Sequence, residues 1–304
     1  MKGARIIFVP GLNPKPPPEL YQSQLKRVLL HTLGRTRPRA AQRLAANDAA
    51  FELVAWTYLF HGAHRDITVD LPSIERLLEQ TAATREDMRE LRSWQRRLLR
   101  WSHLVGDRWP YLGRRLAPAN TRRLMHEANR YLKNRDGIGA DVRAVLRGTL
   151  EAAWLRSESV LLMGHSLGSV IAYDTLWELT HEHRASGEVS LFVTFGSPLG
   201  TRFVQRSLKG AREAGAARYP HNIRRWVNLA ALGDTTALLP RLRPLYREML
   251  DLELVESLED HVDFANYFRG DSGLNPHEAY GYLAQPLLAN IVADWLDSSL
   301  PPFP

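Results

Sequence analysis

Ser166 lies at the centre of Gly164-His165-Ser166-Leu167-Gly168, the stretch of this sequence whose residue types and spacing most invite chemistry. A serine hydroxyl is a weak nucleophile until a base removes its proton; it can then attack a carbonyl carbon and carry an acyl group. Val160 to Met163, just before it, form a short apolar run with the composition of a buried parallel strand. Just after it, Val170, Ile171, Tyr173, Asp174, Leu176, Trp177 and Leu179 recur at helical spacing. A strand, a sharp turn with Ser at its tip and a helix hold the hydroxyl out over the helix N-terminus. Gly164 and Gly168 sit two residues to either side, where a Cβ would collide with the crossing chain. The free N–H groups and positive dipole of the helix end suit an oxygen that becomes negative as the hydroxyl attacks.

The elements that must position such a serine are legible along the chain. Arg5 to Val9 reads as a central strand that runs into Pro10-Gly11-Leu12. Asn13 to Pro18 is Pro-rich and extended. Tyr21 to Leu33 is helical, with Leu25, Val28, Leu29 and Leu33 on one face. Phe51 to Trp56, Glu188 to Phe195, Ile223 to Leu232 and Leu252 to Val255 read as further strands, the last of these closing the sheet. A helix follows from about Glu278 to Leu296, with Tyr282, Leu283, Leu287, Ile291, Trp295 and Leu296 repeating. This alternation predicts an α/β fold, a mostly parallel central sheet flanked by helices.

The chain has 304 residues, 44% of them hydrophobic, enough for one large domain. It has no Cys, which excludes disulfides, thiol nucleophiles and thiolate metal sites. No apolar run reaches the roughly 18 residues of a membrane span, and Ile6-Ile7-Phe8-Val9 is too short for a signal-peptide core; a cytoplasmic protein is expected. The net charge is +7, unevenly placed: residues 85–147 hold 16 Lys plus Arg against 7 Asp plus Glu. In the same stretch Met88, Leu91, Trp94, Leu98, Trp101 and Val105 recur as the apolar side of an amphipathic helix, with Arg89, Arg92, Arg96, Arg97 and Arg100 around them. A second helical region runs from about Asn120 to Trp154, interrupted near Asp136-Gly137-Ile138-Gly139. If the apolar side packs down, the Arg side faces outward toward an anionic membrane surface. No nucleic-acid-binding motif is legible. His61 and His64, and His181-Glu182-His183, are read as structural or solvated, so no metal and no cofactor is expected.

The chain resembles the α/β-hydrolases. Gly164-His165-Ser166-Leu167-Gly168 is worded like the nucleophile elbow of serine lipases and esterases. Thr194-Phe195-Gly196-Ser197-Pro198-Leu199-Gly200 resembles the T-F-G-S-P segment of the class-three lipases. Asp234-Thr235-Thr236-Ala237-Leu238-Leu239-Pro240 resembles their D-x-V-P-x-L-P, with Ala237 in place of Pro. The resemblance implies a single α/β-hydrolase domain over residues 1–304 with a helical cap inserted at 84–150. It implies the chain order nucleophile, acid, base, which Ser166, Asp234 and His277 satisfy. It also implies oxyanion-hole N–H groups from Leu12 and Leu167. His261 competes with His277 as the base, and Asp260, Asp263 and Asp271 compete with Asp234. The activity implied is cleavage of carboxylic esters, acyl or lipid esters among them, through an acyl-enzyme. Thioester cleavage or acyl transfer by the same groups, and a non-catalytic basic interaction module, are the alternatives.

Overall fold

The apolar runs build a six-stranded, all-parallel sheet with helices on both faces. The computed structural model describes residues 3–108 and 119–299. Its strands are β1 (Ala4–Val9), β2 (Phe51–Leu53), β3 (Ser159–His165), β4 (Leu191–Phe195), β5 (Arg225–Ala231) and β6 (Ser257–Phe264). In space they run β2-β1-β3-β4-β5-β6. A two-residue hairpin, β7 (Arg269–Gly270) with β8 (Gly273–Leu274), stands apart from the sheet. The helices are α1 (Pro18–Thr36), α2 (Pro38–Ala45), α3 (Thr57–His61), α4 (Leu71–Glu79), α5 (Arg85–Leu91), α6 (Trp94–Arg108) and α7 (Ala119–Leu132). They continue with α8 (Ile138–Leu155), α9 (Leu167–His181), α10 (Arg202–Gln205), α11 (Arg247–Asp251), α12 (Ala279–Leu283) and α13 (Pro286–Ser299).

Alternate strand residues feed two cores, one on each face. Ile6, Phe8, Leu161, Met163, Val193, Phe195 and Leu229 pack with α1, α12 and α13. Ile7, Val9, Val160, Leu162, Phe192 and Trp226 pack with α8 and α9. The inner strands are apolar on both faces for this reason. The edge strand β6 is not: Leu258 is buried while Glu259 is exposed.

Several sequence readings shift. Leu252 to Val255 is not a strand; it is the turn out of α11, with Glu253 at φ 56° and the Leu254 N–H returning to Met249 O. The sheet closes instead on β6, so His261 lies within a strand and pairs with Leu229. Its polar alternation is that of an edge strand, which an apolar-run criterion passes over. The second strand stops at Leu53, and Trp56 already precedes α3. The last helix breaks into α12 and α13 at Pro286, which has no N–H to continue the ladder.

The expected amphipathic helix at Met88 to Val105 is two helices, α5 and α6. Thr84 and Asp87 form a capping box that starts α5. Leu91 is buried, but Trp94, Leu98 and Trp101 are 70%, 56% and 64% exposed. Arg96 turns inward instead, donating to Leu274 O at 2.7 Å and to Glu90 at 3.1 Å. The apolar side of α6 is therefore the outer one, the reverse of a lid packed face down. Residues 109–118, and the side chains of Arg97 and Val105, lie outside the described residues. Within the segment 84–150, α8 lies against the sheet with Val142, Leu146 and Leu150 fully buried. Among the described residues no helix is long and apolar enough to cross a membrane.

Candidate active site

The carboxyl ends of the strands bring the chemically capable residues to one edge, the edge at which open parallel sheets receive ligands. Ser166 follows β3 directly, Pro10-Gly11-Leu12 follows β1, Gly196 follows β4 and Asp234 lies just beyond β5. His277 arrives from the loop ahead of α12.

Ser166 has φ 54° and ψ −128°, a strained conformation for a residue with a Cβ. Close contacts on both sides enforce it. A Cβ on Gly164 would lie 2.6 Å from Ser169 Cα, and one on Gly168 would lie 2.2 Å from Val9 O. Hydrogen bonds hold the turn as well: the Ser166 N–H donates to Phe195 O at 3.0 Å, and Ser169 Oγ–H donates to Ser166 O at 2.6 Å. Ser169 Oγ also lies 2.6 Å from Ser197 Oγ, so the segment after β4 is stitched to the serine turn.

His277 Nε2 is 3.0 Å from Ser166 Oγ, and His277 Nδ1 is 2.9 Å from Asp234 Oδ2. Hydroxyl, imidazole and carboxylate thus stand in series. Such a series can carry the serine proton to the imidazole while the carboxylate steadies the resulting cation. Burial pulls the His277 pKa down, but the charge of Asp234 and the hydrogen bond to it outweigh burial and leave it raised. For Asp234, burial acts upward and is overcome by His277, Tyr282 and the Thr236 N–H, so its carboxyl stays below the ordinary range.

The rivals are placed elsewhere. His261 sits on β6 with Nε2 3.7 Å from Glu259. Asp260 anchors a loop, accepting from Asn228 Nδ2 and from the N–H groups of Leu242 and Arg243 at 2.8 to 2.9 Å. Asp263 faces Arg241 at 3.8 Å, and Asp271 is exposed on the β7–β8 turn. The Leu167 N–H opens α9, where no intrahelical acceptor exists. Gly11 passes so near the serine that a Cβ there would lie 2.9 Å from Ser166 Cβ.

Four supporting residues were not singled out as site residues from sequence. Tyr282 donates to Asp234 Oδ2 at 2.7 Å. His165 donates from Nε2 to His277 O at 2.7 Å, which leaves its buried Nδ1 unprotonated and without a partner. Burial, and then the charges of His277 and Lys15, hold the His165 pKa well below the ordinary value, so this ring stays neutral. Trp56 Nε1–H donates to Pro10 O at 3.0 Å, and His61 Nε2–H donates to Leu12 O at 2.6 Å. The available signal was a polar atom on an otherwise apolar stripe, which needs a partner when buried.

A cavity of about 380 Å³ borders Asp234 and His277, walled by Arg65, Asp70, Arg96 and Glu278. Arg65 is paired with Asp70, and Arg96 is held by Glu90 and Leu274 O. Among the described residues no group of His, Asp and Glu could hold a metal ion. His181 is bound to Tyr219 O and His183 to Arg147. No family model, no curated protein and no solved structure matches the chain.

Proposed function

We propose that the chain is a serine hydrolase of the α/β-hydrolase type that cleaves carboxylic esters through an acyl-enzyme on Ser166. The observation that carries the reading is the unbroken series from Ser166 Oγ through His277 to Asp234, with contacts of 3.0 and 2.9 Å, built on a serine at positive φ. Ser166 Oγ attacks the ester carbonyl carbon while its proton passes to His277 Nε2. The carbonyl π pair moves onto oxygen, where the N–H groups of Leu12 and Leu167 receive it. Collapse of this adduct breaks the bond to the alcohol oxygen, which leaves with the proton from His277. Water, deprotonated by His277, then attacks the acyl carbon; the acid departs and Ser166 regains its proton. Asp234 keeps the imidazole in the tautomer with Nε2 free.

The cavity beside His277 is walled by charged groups and lies on the Asp234 side of the imidazole, with Ser166 outside its lining, so the choice of substrate rests on the surface around the site instead. The outer side of α6 suits a lipid surface: Trp94, Leu98, Leu99 and Trp101 are exposed, and Arg89 and Arg92 nearby are exposed too. A lipid ester met at an anionic surface fits this exposed side. Basic residues at such a surface contribute about 1 kcal/mol each, weakened by salt.

The test is labelling of the intact protein with a fluorophosphonate, alongside hydrolysis of p-nitrophenyl esters with and without chelator. Labelling and chelator-insensitive turnover are expected, both abolished in Ser166→Ala. A parent that neither labels nor turns over would favour a non-catalytic binding role. Co-sedimentation with phosphatidylcholine vesicles, with and without phosphatidylglycerol, tests the surface contact. Binding should favour the anionic vesicles and weaken in Trp94→Ser/Trp101→Ser; equal pelleting of parent and variant removes this part of the reading.

A further inference from the structure

The peptide that offers the Leu12 N–H is bracketed by two anchored carbonyls. On one side Pro10 O accepts from Trp56 Nε1–H at 3.0 Å; on the other Leu12 O accepts from His61 Nε2–H at 2.6 Å. Between them lies the Gly11–Leu12 peptide, whose N–H has no hydrogen-bond partner among the described residues. Gly11 has no Cβ to restrict this peptide, so it would swivel readily if its neighbours were free. An oxyanion donor is effective only when it already points at the place where charge develops.

The anchors are themselves supported. His61 ends α3 and Trp56 immediately precedes it, so one short helix and the residue that opens it supply both donors. Phe60 is buried between them, edge-on to Trp56 at 5.7 Å and to His61 at 5.0 Å. Arg130, on α7, donates to Phe60 O at 2.9 Å and lies 4.8 Å over the Phe60 ring. The brace therefore runs from α7 through α3 to the loop beside Ser166.

We propose that His61 is a positioning residue that fixes the oxyanion-binding peptide, with Trp56 as its counterpart on the other side. The inference rests on the reading of Ser166 as an ester-cleaving nucleophile. Neither side chain need touch substrate. Each holds a carbonyl so that the peptide between cannot turn away, and the benefit is felt when the carbonyl oxygen becomes an anion.

The experiment compares parent, His61→Ala, His61→Gln and Trp56→Phe. Gln places a side-chain N–H near the reach of Nε2, and Phe keeps the ring of Trp56 without its donor. His61→Ala should lower kcat about 10- to 100-fold with KM within about twofold, less than loss of a donor itself. His61→Gln should return to within a few-fold of the parent, and Trp56→Phe should fall in the same direction as His61→Ala. Affinity for a trifluoromethyl ketone analogue, which forms an oxyanion on Ser166, should drop in parallel with kcat/KM. Affinity for a non-reactive ether analogue should not change. A purely structural role would move both affinities or neither, and either result would overturn the proposal, as would a His61→Ala rate equal to the parent's. If the parent itself fails to hydrolyse esters or to label at Ser166, the underlying functional reading has failed instead.

Discussion

The Tyr282 hydroxyl is shared between Asp234 and the backbone: it donates to Asp234 Oδ2 at 2.7 Å and accepts from the Ala231 N–H at 3.0 Å. Burial and then the charge of Asp234 raise its pKa well above the ordinary value, so it remains a donor. Asp234 thereby reaches His277 with both carboxylate oxygens held, Oδ1 by the Thr236 N–H at 2.9 Å and Oδ2 by Tyr282. Tyr282→Phe should leave the Ala231 N–H buried without a partner. Stability should fall by about 1–3 kcal/mol in denaturant titration, and kcat should fall less than for any change at Asp234. A variant as active and as stable as the parent would deny the hydroxyl this role.

The two histidines are separable by mutation. His277→Ala should lose the burst of p-nitrophenol as well as turnover, a fall on the order of 10⁵- to 10⁶-fold, because acylation itself needs the base. His261→Ala should keep most of the rate, since its ring lies along β6 rather than near Ser166. Stopped-flow measurement of the burst reads both, and a dead His261→Ala with an active His277→Ala would reverse the assignment.

Activity should rise with pH along a single limb set by His277, which must be neutral to accept the serine proton. The carboxylate of Asp234 raises that pKa, so activity is lost as pH falls through a point above the ordinary imidazole value. Asp234→Asn removes the attraction for the imidazolium, so the limb should shift to lower pH while kcat falls by roughly 10²- to 10⁴-fold. The profile of kcat/KM against pH reads the shift. A limb that stays in place would mean that another group sets it.

A second carboxyl bears on stability instead. Asp174, on the inner side of α9, is fully buried; burial is the largest influence on it and pushes its pKa up to about 6. Between about 4 and 6 the folded chain therefore holds a proton that the unfolded chain releases, and this contribution to stability is lost as pH rises. Asp174→Asn carries no such loss. Relative to the parent it should gain stability between pH 4 and pH 7, by up to about 3 kcal/mol. Chemical denaturation at both pH values measures the difference, and a pH-independent offset between the two proteins would refute it.

How much of this could be read from sequence follows from the range of the signals. The turn at Ser166 was legible because its pattern is local, a strand, two glycines and a helix within 20 residues. Asp234 and His277 were narrowed by chain order, but His261 remained a rival because the closing strand was misread. β6 carries the polar alternation of an edge, while Leu252 to Val255 offered an apolar run that turned out to leave a helix. The orientation of α6 was missed for a related reason. Periodicity identifies two faces but not which of them meets the body, and here Arg96 reaching Leu274 O directs the polar one inward. The braces at His61, Trp56 and Tyr282 join residues 46 to 49 positions apart, and no local pattern announces them.

The hydrogen bond from Tyr131 on α7 to Asp174 on α9, at 3.0 Å, has a consequence for modularity. Beside it, Arg143 on α8 donates to Glu178 on α9 at 2.8 Å, with both side chains almost wholly buried. The helix that Ser166 opens is thus welded along its length to the later part of the Arg-rich segment. A graft that exchanged the whole of residues 84–150 would strip Asp174 of Tyr131 and Glu178 of Arg143, leaving Lys209, whose backbone N–H donates to Asp174 at 2.9 Å and whose ammonium lies 2.8 Å from Glu178, to hold both buried carboxylates. An exchangeable portion ends before Arg130 and must keep the ties of Asp87 to Arg269, of Arg96 to Leu274 O and of Asp107 to the Arg202 and Phe203 N–H groups. Away from those ties the chain can diversify its outer surface; from Arg130 on, the sequence belongs to the foundation under Ser166.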